Sequence, residues 1–224
     1  MVVGNGSIAK VFINDYQDDN SVVIFASGVS NSNEINESEF SREHTLLSKI
    51  LVSYPNLKLV YFSSIYSTLV DNPYYNHKLK MENFINENFK NFIIIRLPQV
   101  ISANGNKNNL INYFVDSLKN NKIISIQKSA NRAIVDIQDV KNITKKIILN
   151  ENNKILNFSH IEYVNVLDLF LSISNILNIK PKYNLIDPVF EIPKIDNSLE
   201  ITNIIKQKIE KTNYTNKILK KYIS

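Results

Sequence analysis

The 224-residue chain contains no cysteine, which removes disulfides, a thiolate nucleophile and thiolate metal sites together. Histidine is scarce as well. His44, His77 and His160 are far apart, which argues against a histidine-rich centre, and no metal is expected. No apolar run approaches the roughly 18–20 residues that span a bilayer, and the start, MVVGNGSIAK, lacks the charged opening and long apolar stretch of a signal peptide. A cytoplasmic protein with no membrane partner is the expectation. There are only four glycines, and two of them stand within the first six residues.

What is present is ordinary globular material, 44% hydrophobic and 21% charged, enough for the core of a single domain. The net charge of +5 comes with many asparagines and isoleucines, and the lysines are spread along the chain. That mixture reads as a residue-usage bias. Only Lys217 to Tyr222 (KILKKY) is locally basic, and one such cluster reads as a solvated helix end. Without a basic stripe interleaved with a recognised motif, no nucleic-acid partner is expected.

Apolar runs at Met1–Val3, Val22–Ala26, Leu57–Phe62 and Phe92–Ile95 read as buried strands. Between them lie a brief helical pattern through Phe12 and Ile13, a helix over about Glu39–Tyr54, and another over about Tyr74–Phe89. Strands alternating with helices predict an α/β fold, a Rossmann-like, doubly wound parallel sheet. The second half is less regular. Helices are expected at Asn109–Lys119, Asp139–Leu149 and Val164–Leu177, strands near Ile123–Ile126 and Ile155–Phe158, then irregular chain and a final helix. The chain thus divides into a cofactor-binding part over residues 1–100 and a smaller substrate lobe over 101–224, with some elements returning to the sheet.

Gly4-x-Gly6-x-x-Ala9 falls between a strand and a helix, where a dinucleotide-binding turn has to be. The first glycine permits the turn, the second lets backbone approach a pyrophosphate, and the small third residue lets the helix pack on the sheet. The helix N-terminus then offers free N–H groups to the phosphates. A full dinucleotide fold has a second strand about 20 residues on, ending in an acid for the ribose. Here Asp18 and Asp19 precede Val22–Ala26 and read as a loop or cap, and that strand already resembles the fourth of the usual order. The second and third strands are expected to be missing, so the choice between NAD and NADP is not legible.

Tyr74-x-x-x-Lys78 places a phenol and an ammonium one helical turn apart on one face. A nearby ammonium favours the phenolate and is expected to lower the Tyr74 pKa toward the operating pH. Such a tyrosine can take or give the proton that accompanies hydride transfer at a carbinol or carbonyl. Ser64, at the end of the preceding strand, can hydrogen-bond the same substrate oxygen. The bland alternative is a surface Tyr and Lys on an amphipathic helix.

With these residues in order, the sequence resembles the extended short-chain dehydrogenase/reductase family, the NAD-dependent epimerase/dehydratase group that modifies nucleotide sugars. The likeness rests on GNGSIA, VVIFASGVS, YFSSIYST with DNPYYNHK, IIIRLPQV and NRAIVDIQDV, across most of residues 1–140. It implies that Ser64, Tyr74 and Lys78 are catalytic. It implies a nicotinamide dinucleotide bound by Gly4, Asn5, Gly6, Ser7 and Ile8, by Ala26, Ser27 and Gly28, and by Ser63, Tyr74, Lys78, Leu97 and Pro98. For a nucleotide-sugar substrate it implies Ser64, Gln99 (where the family usually has Asn), Asn109 and Leu110 in the segment Asn108-Asn109-Leu110, and Arg132. A guanidinium suits a diphosphate through its fixed fork of donors. Asn109 as a plain N-cap and Arg132 as a plain surface charge are the alternatives. A homodimer through the Tyr/Lys helix and its neighbour also follows from the resemblance.

The family's dehydratases carry an acidic pair after the catalytic hydroxyl. Ile65 and Tyr66 stand there and exclude that acid/base work. Ketoreductase and 4-epimerase need the same three residues. The shortened cofactor part favours a reductase, which must exchange its nicotinamide, and it resembles compact reductases of bacterial capsule biosynthesis, hence an expected role in surface-polysaccharide formation. A non-catalytic nucleotide-binding or sensor module, with Tyr74 and Lys78 as relics, is the competing reading.

Overall fold

A computed structural model describes residues 1–103, 109–187, 193–209 and 213–223. In chain order the elements are β1 (Val2–Val3), α1 (Ser7–Tyr16), β2 (Val22–Phe25), α2 (Glu37–Ser53), β3 (Lys58–Ser64), α3 (Pro73–Asn88), β4 (Phe92–Leu97), β5 (Gln99–Ile101) and α4 (Leu110–Lys119). There follow β6 (Ile123–Gln127), β7 (Asn131–Asp136), α5 (Ile137–Asn150), β8 (Lys154–Asn157), β9 (Tyr163–Asn165), α6 (Val166–Leu177), β10 (Lys182–Ile186), α7 (Leu199–Lys208) and α8 (Tyr214–Ile223).

The main sheet has five strands in the order β1-β2-β3-β4-β8, and every pairing in it is parallel. Parallel strands need covered faces, and the two hydrophobic clusters supply them. Val23, Phe25, Leu59, Tyr61 and Ile94 pack on one face with Leu47 and Ile50 of α2 and Met81 and Ile85 of α3. Ile24, Val60, Phe62, Ile93 and Ile95 pack on the other with Ala9 and Phe12 of α1 and Val140, Ile143 and Ile147 of α5. The uninterrupted apolar runs of β2 and β4 follow from this double burial.

β1 pairs directly with β2 and forms the sheet edge. In a full dinucleotide fold two further strands lie beyond it, so the expected deletion is borne out. Asp18 and Asp19 lie in the turn after α1. The Asp19 carboxylate accepts from Ser21 N–H at 2.6 Å, the Ser21 hydroxyl at 2.7 Å and Val22 N–H at 3.0 Å. The Met1 ammonium donates to the carbonyls of Asp19 and Val22. These contacts set the register of the edge strand.

The second half holds more strand than its pattern suggests. β7 pairs with β5 in parallel and with β9 antiparallel, and β6, expected as a strand, pairs with β10, which lies in chain expected to be irregular. The basic tail forms the last turns of α8, with Lys217, Lys220 and Lys221 exposed as a solvated helix end and the apolar face turned inward. Ile218 and Leu219 are buried, Tyr214 donates to Asp139 at 2.6 Å, and Lys221 pairs with Asp136 at 2.6 Å. α8 is thereby fastened to the start of α5. Among the described residues no helix is long and apolar enough to cross a membrane.

Candidate active site

The residues singled out from the sequence come from the carboxyl ends of adjacent parallel strands, where ligands bind in open α/β sheets. Gly4 to Gly6 follow β1, Ala26 to Gly28 follow β2, Ser63 and Ser64 end β3, and Leu97 to Gln99 span the end of β4 and the start of β5.

The first turn has the form the motif requires. Gly4 has φ +126°, and a Cβ there would meet the Ala26 carbonyl oxygen at 2.4 Å, so only glycine fits. Gly6 is the N-cap of α1 in extended conformation, and a Cβ there would meet nothing within 4 Å. The space over the helix N-terminus is open, as backbone approach by a pyrophosphate needs. Ala9 is fully buried against the sheet, which accounts for the small third residue of the motif.

α3 begins with Pro73 after an N-cap, Asn72, whose side chain accepts from Tyr75 N–H at 2.8 Å. Tyr74 is half-buried and Lys78 lies one turn on, with its Nζ 5.8 Å from the Tyr74 ring centre. The expected electrostatic link between them does not hold. The Lys78 ammonium is 2% exposed and turned to Glu43 of α2, 3.2 Å from Oε1 and 3.4 Å from Oε2, and it donates to the Tyr61 hydroxyl at 3.2 Å. Burial, then Tyr75 and the Glu43 carboxylate, push the Tyr74 phenol up from its ordinary value. This corrects the lowered pKa expected from the spacing: the ammonium is beside the ring, but its charge is matched by an anion closer than the phenol.

Glu43 is fully buried and heavily coordinated. Tyr61 donates to its Oε1 at 2.6 Å, Val29 N–H donates to Oε2 at 2.7 Å, and His77 Nε2 lies 3.0 Å from Oε2. Burial alone would raise this carboxyl. Lys78, His77, Tyr61 and the Val29 N–H outweigh it and hold it well below the usual carboxylate range. Gly28 belongs to the same arrangement, because a Cβ there would meet Lys78 Nζ at 2.5 Å and Glu43 Oε1 at 2.9 Å.

A second buried carboxylate, Glu82, lies one turn further along α3. It accepts from Ser63 at 2.5 Å, from Ser67 at 3.0 Å and from Arg96, whose Nη2 is 2.6 Å from Oε2. Side chains alternate across a strand, so Tyr61 and Ser63 both face α3, and the Ser63 hydroxyl is committed to Glu82 rather than turned to the first turn. Ser64 points to the other face at the strand's end and accepts from Tyr66 N–H at 3.3 Å. Neither carboxylate was singled out from the sequence.

On the substrate side the picture is mixed. Gln99 carries a buried Oε1 with no hydrogen-bond partner among the described residues, an acceptor that a ligand donor could satisfy. Asn109 caps α4 by accepting from Asn112 N–H at 2.8 Å, and Leu110 opens that helix, while Asn108 lies outside the described residues. Arg132 is half-buried on β7 and donates to the Asn131 carbonyl at 2.8 Å; burial pushes the Tyr66 and Tyr75 phenols up, and the Arg132 charge offsets part of that rise. Tyr66 and Tyr75 meet edge to face at 6.1 Å, so an aromatic wall stands beside that guanidinium.

No family model and no curated protein matches the chain. Solved structures do. It is similar to the Bordetella bronchiseptica enzyme WbmH in complex with NAD+, at 18% identity and a TM-score of 0.72, over 99% of this chain and 80% of that one. It is similar to dTDP-glucose 4,6-dehydratase from Bacillus anthracis in complex with NAD, at 14% identity and a TM-score of 0.72, over 98% and 76%. UDP-glucuronic acid 4-epimerase from Bacillus cereus, in complex with UDP-glucuronic acid and NAD, gives 16% identity and a TM-score of 0.69, over 98% and 78%. The chain has the Rossmann-like parallel α/β fold of these structures, with two strands fewer than a full dinucleotide fold at the β1 edge.

Proposed function

We propose that the protein is an NAD- or NADP-dependent oxidoreductase acting on a nucleotide-linked sugar, with a ketoreductase favoured over a 4-epimerase. The observation that supports this is that the Gly4–Gly6 turn follows β1 and Ser64 ends β3 at the carboxyl ends of one parallel sheet, with Tyr74 and Lys78 on α3, the helix that follows β3. Similar folds that hold NAD and a UDP-sugar support the ligand classes. Gly4, Asn5, Gly6, Ser7 and Ile8 would hold the pyrophosphate, and Ala26 to Gly28 with Leu97 and Pro98 would flank the rest of the dinucleotide. When bound, the nicotinamide supplies or accepts the hydride. Tyr74 handles the proton on the sugar oxygen, and Ser64 donates a hydrogen bond to the same oxygen. Gln99, Asn109, Leu110 and Arg132 would hold the nucleotide sugar, with the Arg132 fork suited to a diphosphate. A role in surface-polysaccharide formation and pairing of two copies through α2 and α3 belong to the same reading.

Ile65 and Tyr66 leave no carboxylate next to Ser64 for a dehydration. The competing sensor reading keeps the binding and drops the turnover. A thermal-shift panel of NAD, NADH, NADP, NADPH and UDP-, GDP-, CDP- and dTDP-sugars, followed by turnover with each stabilising pair, separates them. A ligand at about a hundred times its dissociation constant should add about 2.7 kcal/mol, a rise of roughly 5–10 °C. The expected result is one nicotinamide form and one nucleotide sugar that both stabilise the protein and together give net nicotinamide oxidation with a keto sugar. Isomer interconversion without net oxidation selects the epimerase, and stabilisation without any turnover selects the sensor.

A further inference from the structure

Lys78 has three N–H donors to give, and its contacts with both Glu43 oxygens and the Tyr61 hydroxyl use them within the protein. The ammonium also lies against the Gly28 backbone, where no side chain could enter. Its position is therefore fixed from α2, β3 and the turn after β2, and none of these contacts involves the Tyr74 hydroxyl.

Building on the oxidoreductase reading above, we propose that Glu43 is a positioning residue of the site: it holds the Lys78 ammonium away from the Tyr74 hydroxyl and cancels its charge there, so that the resting centre is set to give a proton to a carbonyl oxygen. An uncancelled unit charge at the 5.8 Å that separates Lys78 Nζ from the Tyr74 ring centre would favour the phenolate by about two pH units at an effective dielectric of about 20. With Glu43 within 3.2 Å of Lys78 Nζ, the two charges act on Tyr74 as a dipole. The titratable and charged groups around Tyr74 are Tyr75, His77 and Lys78 on its own helix, Glu43 on α2 and Tyr61 on β3, and of these only Lys78 carries a fixed positive charge. Burial and Glu43 both act to keep the phenol protonated.

A protonated Tyr74 matches the reductive direction. The carbonyl carbon receives a hydride from a reduced nicotinamide, the C=O π pair moves to oxygen, and that oxygen takes the Tyr74 proton. The phenolate left behind regains a proton from solvent, which balances the cycle. Oxidation of an alcohol would need the phenolate first.

Ultraviolet difference titration of the full chain against its Tyr74→Phe variant isolates this phenol from the other tyrosines and needs no ligand. In the wild-type background the difference curve should stay flat to about pH 11, beyond the ordinary tyrosine value of about 10. In Glu43→Gln the same comparison should show Tyr74 ionising at least about two pH units below its wild-type position. Glu43→Asp, which keeps the charge, should restore the flat curve, and so should Glu43→Gln/Lys78→Met, which removes both charges. A purely structural role for Glu43 would move none of these curves. Ionisation of Tyr74 below about pH 10 in wild type, or an unshifted Tyr74 in folded Glu43→Gln, overturns the proposal. If Glu43→Gln does not fold, Glu43→Ala takes its place in the same comparison, and early ionisation of Tyr74 in wild type or in the pair replacement still overturns the proposal. Nicotinamide binding is measured separately, so a failure here leaves the oxidoreductase reading standing, and the reverse also holds.

Discussion

Replacing Tyr74 with Phe is expected to lower turnover about 10²–10⁴-fold, the usual contribution of a positioned proton donor, with little change in nicotinamide affinity or folding stability. The ring makes the packing contacts, lying 5.0 Å from Tyr75 and alongside Lys78 Nζ, and phenylalanine keeps that ring. The hydroxyl has no hydrogen-bond partner among the described residues, so its loss orphans no buried group. The effect should fall on kcat and leave the KM for the nicotinamide within about twofold, because the proton is needed only in the transition state. Steady-state kinetics with the nucleotide sugar found to turn over, beside a thermal melt, measure both halves. A variant as active as wild type would move the chemistry to another residue and leave Tyr74 as packing.

Replacing Glu43 with Leu is expected to be the most damaging single change to stability. Removing one partner of a buried ion pair leaves the other charge uncompensated and costs about 3–5 kcal/mol, a fall of roughly 10 °C in a chain of this length. Here the orphan is Lys78, left with the Tyr61 hydroxyl alone. Replacing both charges, Glu43→Leu with Lys78→Met, should recover most of the loss, since a packed apolar pair is often as stable as a buried salt bridge. Acid adds a second handle. The folded carboxyl is held below its unfolded value of about 4.5, so its stabilisation is fully present above that pH and drains away as pH falls toward the folded value. Wild type should therefore lose stability below about pH 4.5 more steeply than the pair replacement. Chemical denaturation at neutral and acid pH gives the comparison, and equal pH dependence in the two proteins would contradict it.

The same carboxylate shows where sequence reading stops. β2, β3 and β4 were legible because strands buried on both faces must be apolar throughout. The deletion of two strands was legible because the run at Val22 follows α1 too soon for them. β7, β9 and β10 were not, since their short and partly polar stretches pair only through neighbours that the fold brings up. At the site, Tyr74, Lys78 and Gly4 could be read from spacing, yet the partner that decides what Lys78 does lies 35 residues upstream. A signal for it existed. Phe40, Glu43, Leu47 and Ile50 share one helical stripe and all are buried, so a glutamate in that stripe asks for a cation. Glu82 gives the same lesson beside Met81 and Ile85 on α3, with Arg96 as its answer.

Whether a nicotinamide dinucleotide lies on the Gly4–Gly6 turn is decided by calorimetric titration of the four nicotinamide forms into wild type and Gly6→Trp. Gly6 has an ordinary backbone conformation and open space at its Cβ, so the indole can be accepted without disturbing the fold while filling the place of the pyrophosphate. The predicted result is saturable binding of at least one form to wild type and a loss of at least about a hundredfold in the variant, or about 2.7 kcal/mol, with the melting temperature of the unliganded protein unchanged. Binding that survives Gly6→Trp intact, or wild type that takes up none of the four forms, would contradict it.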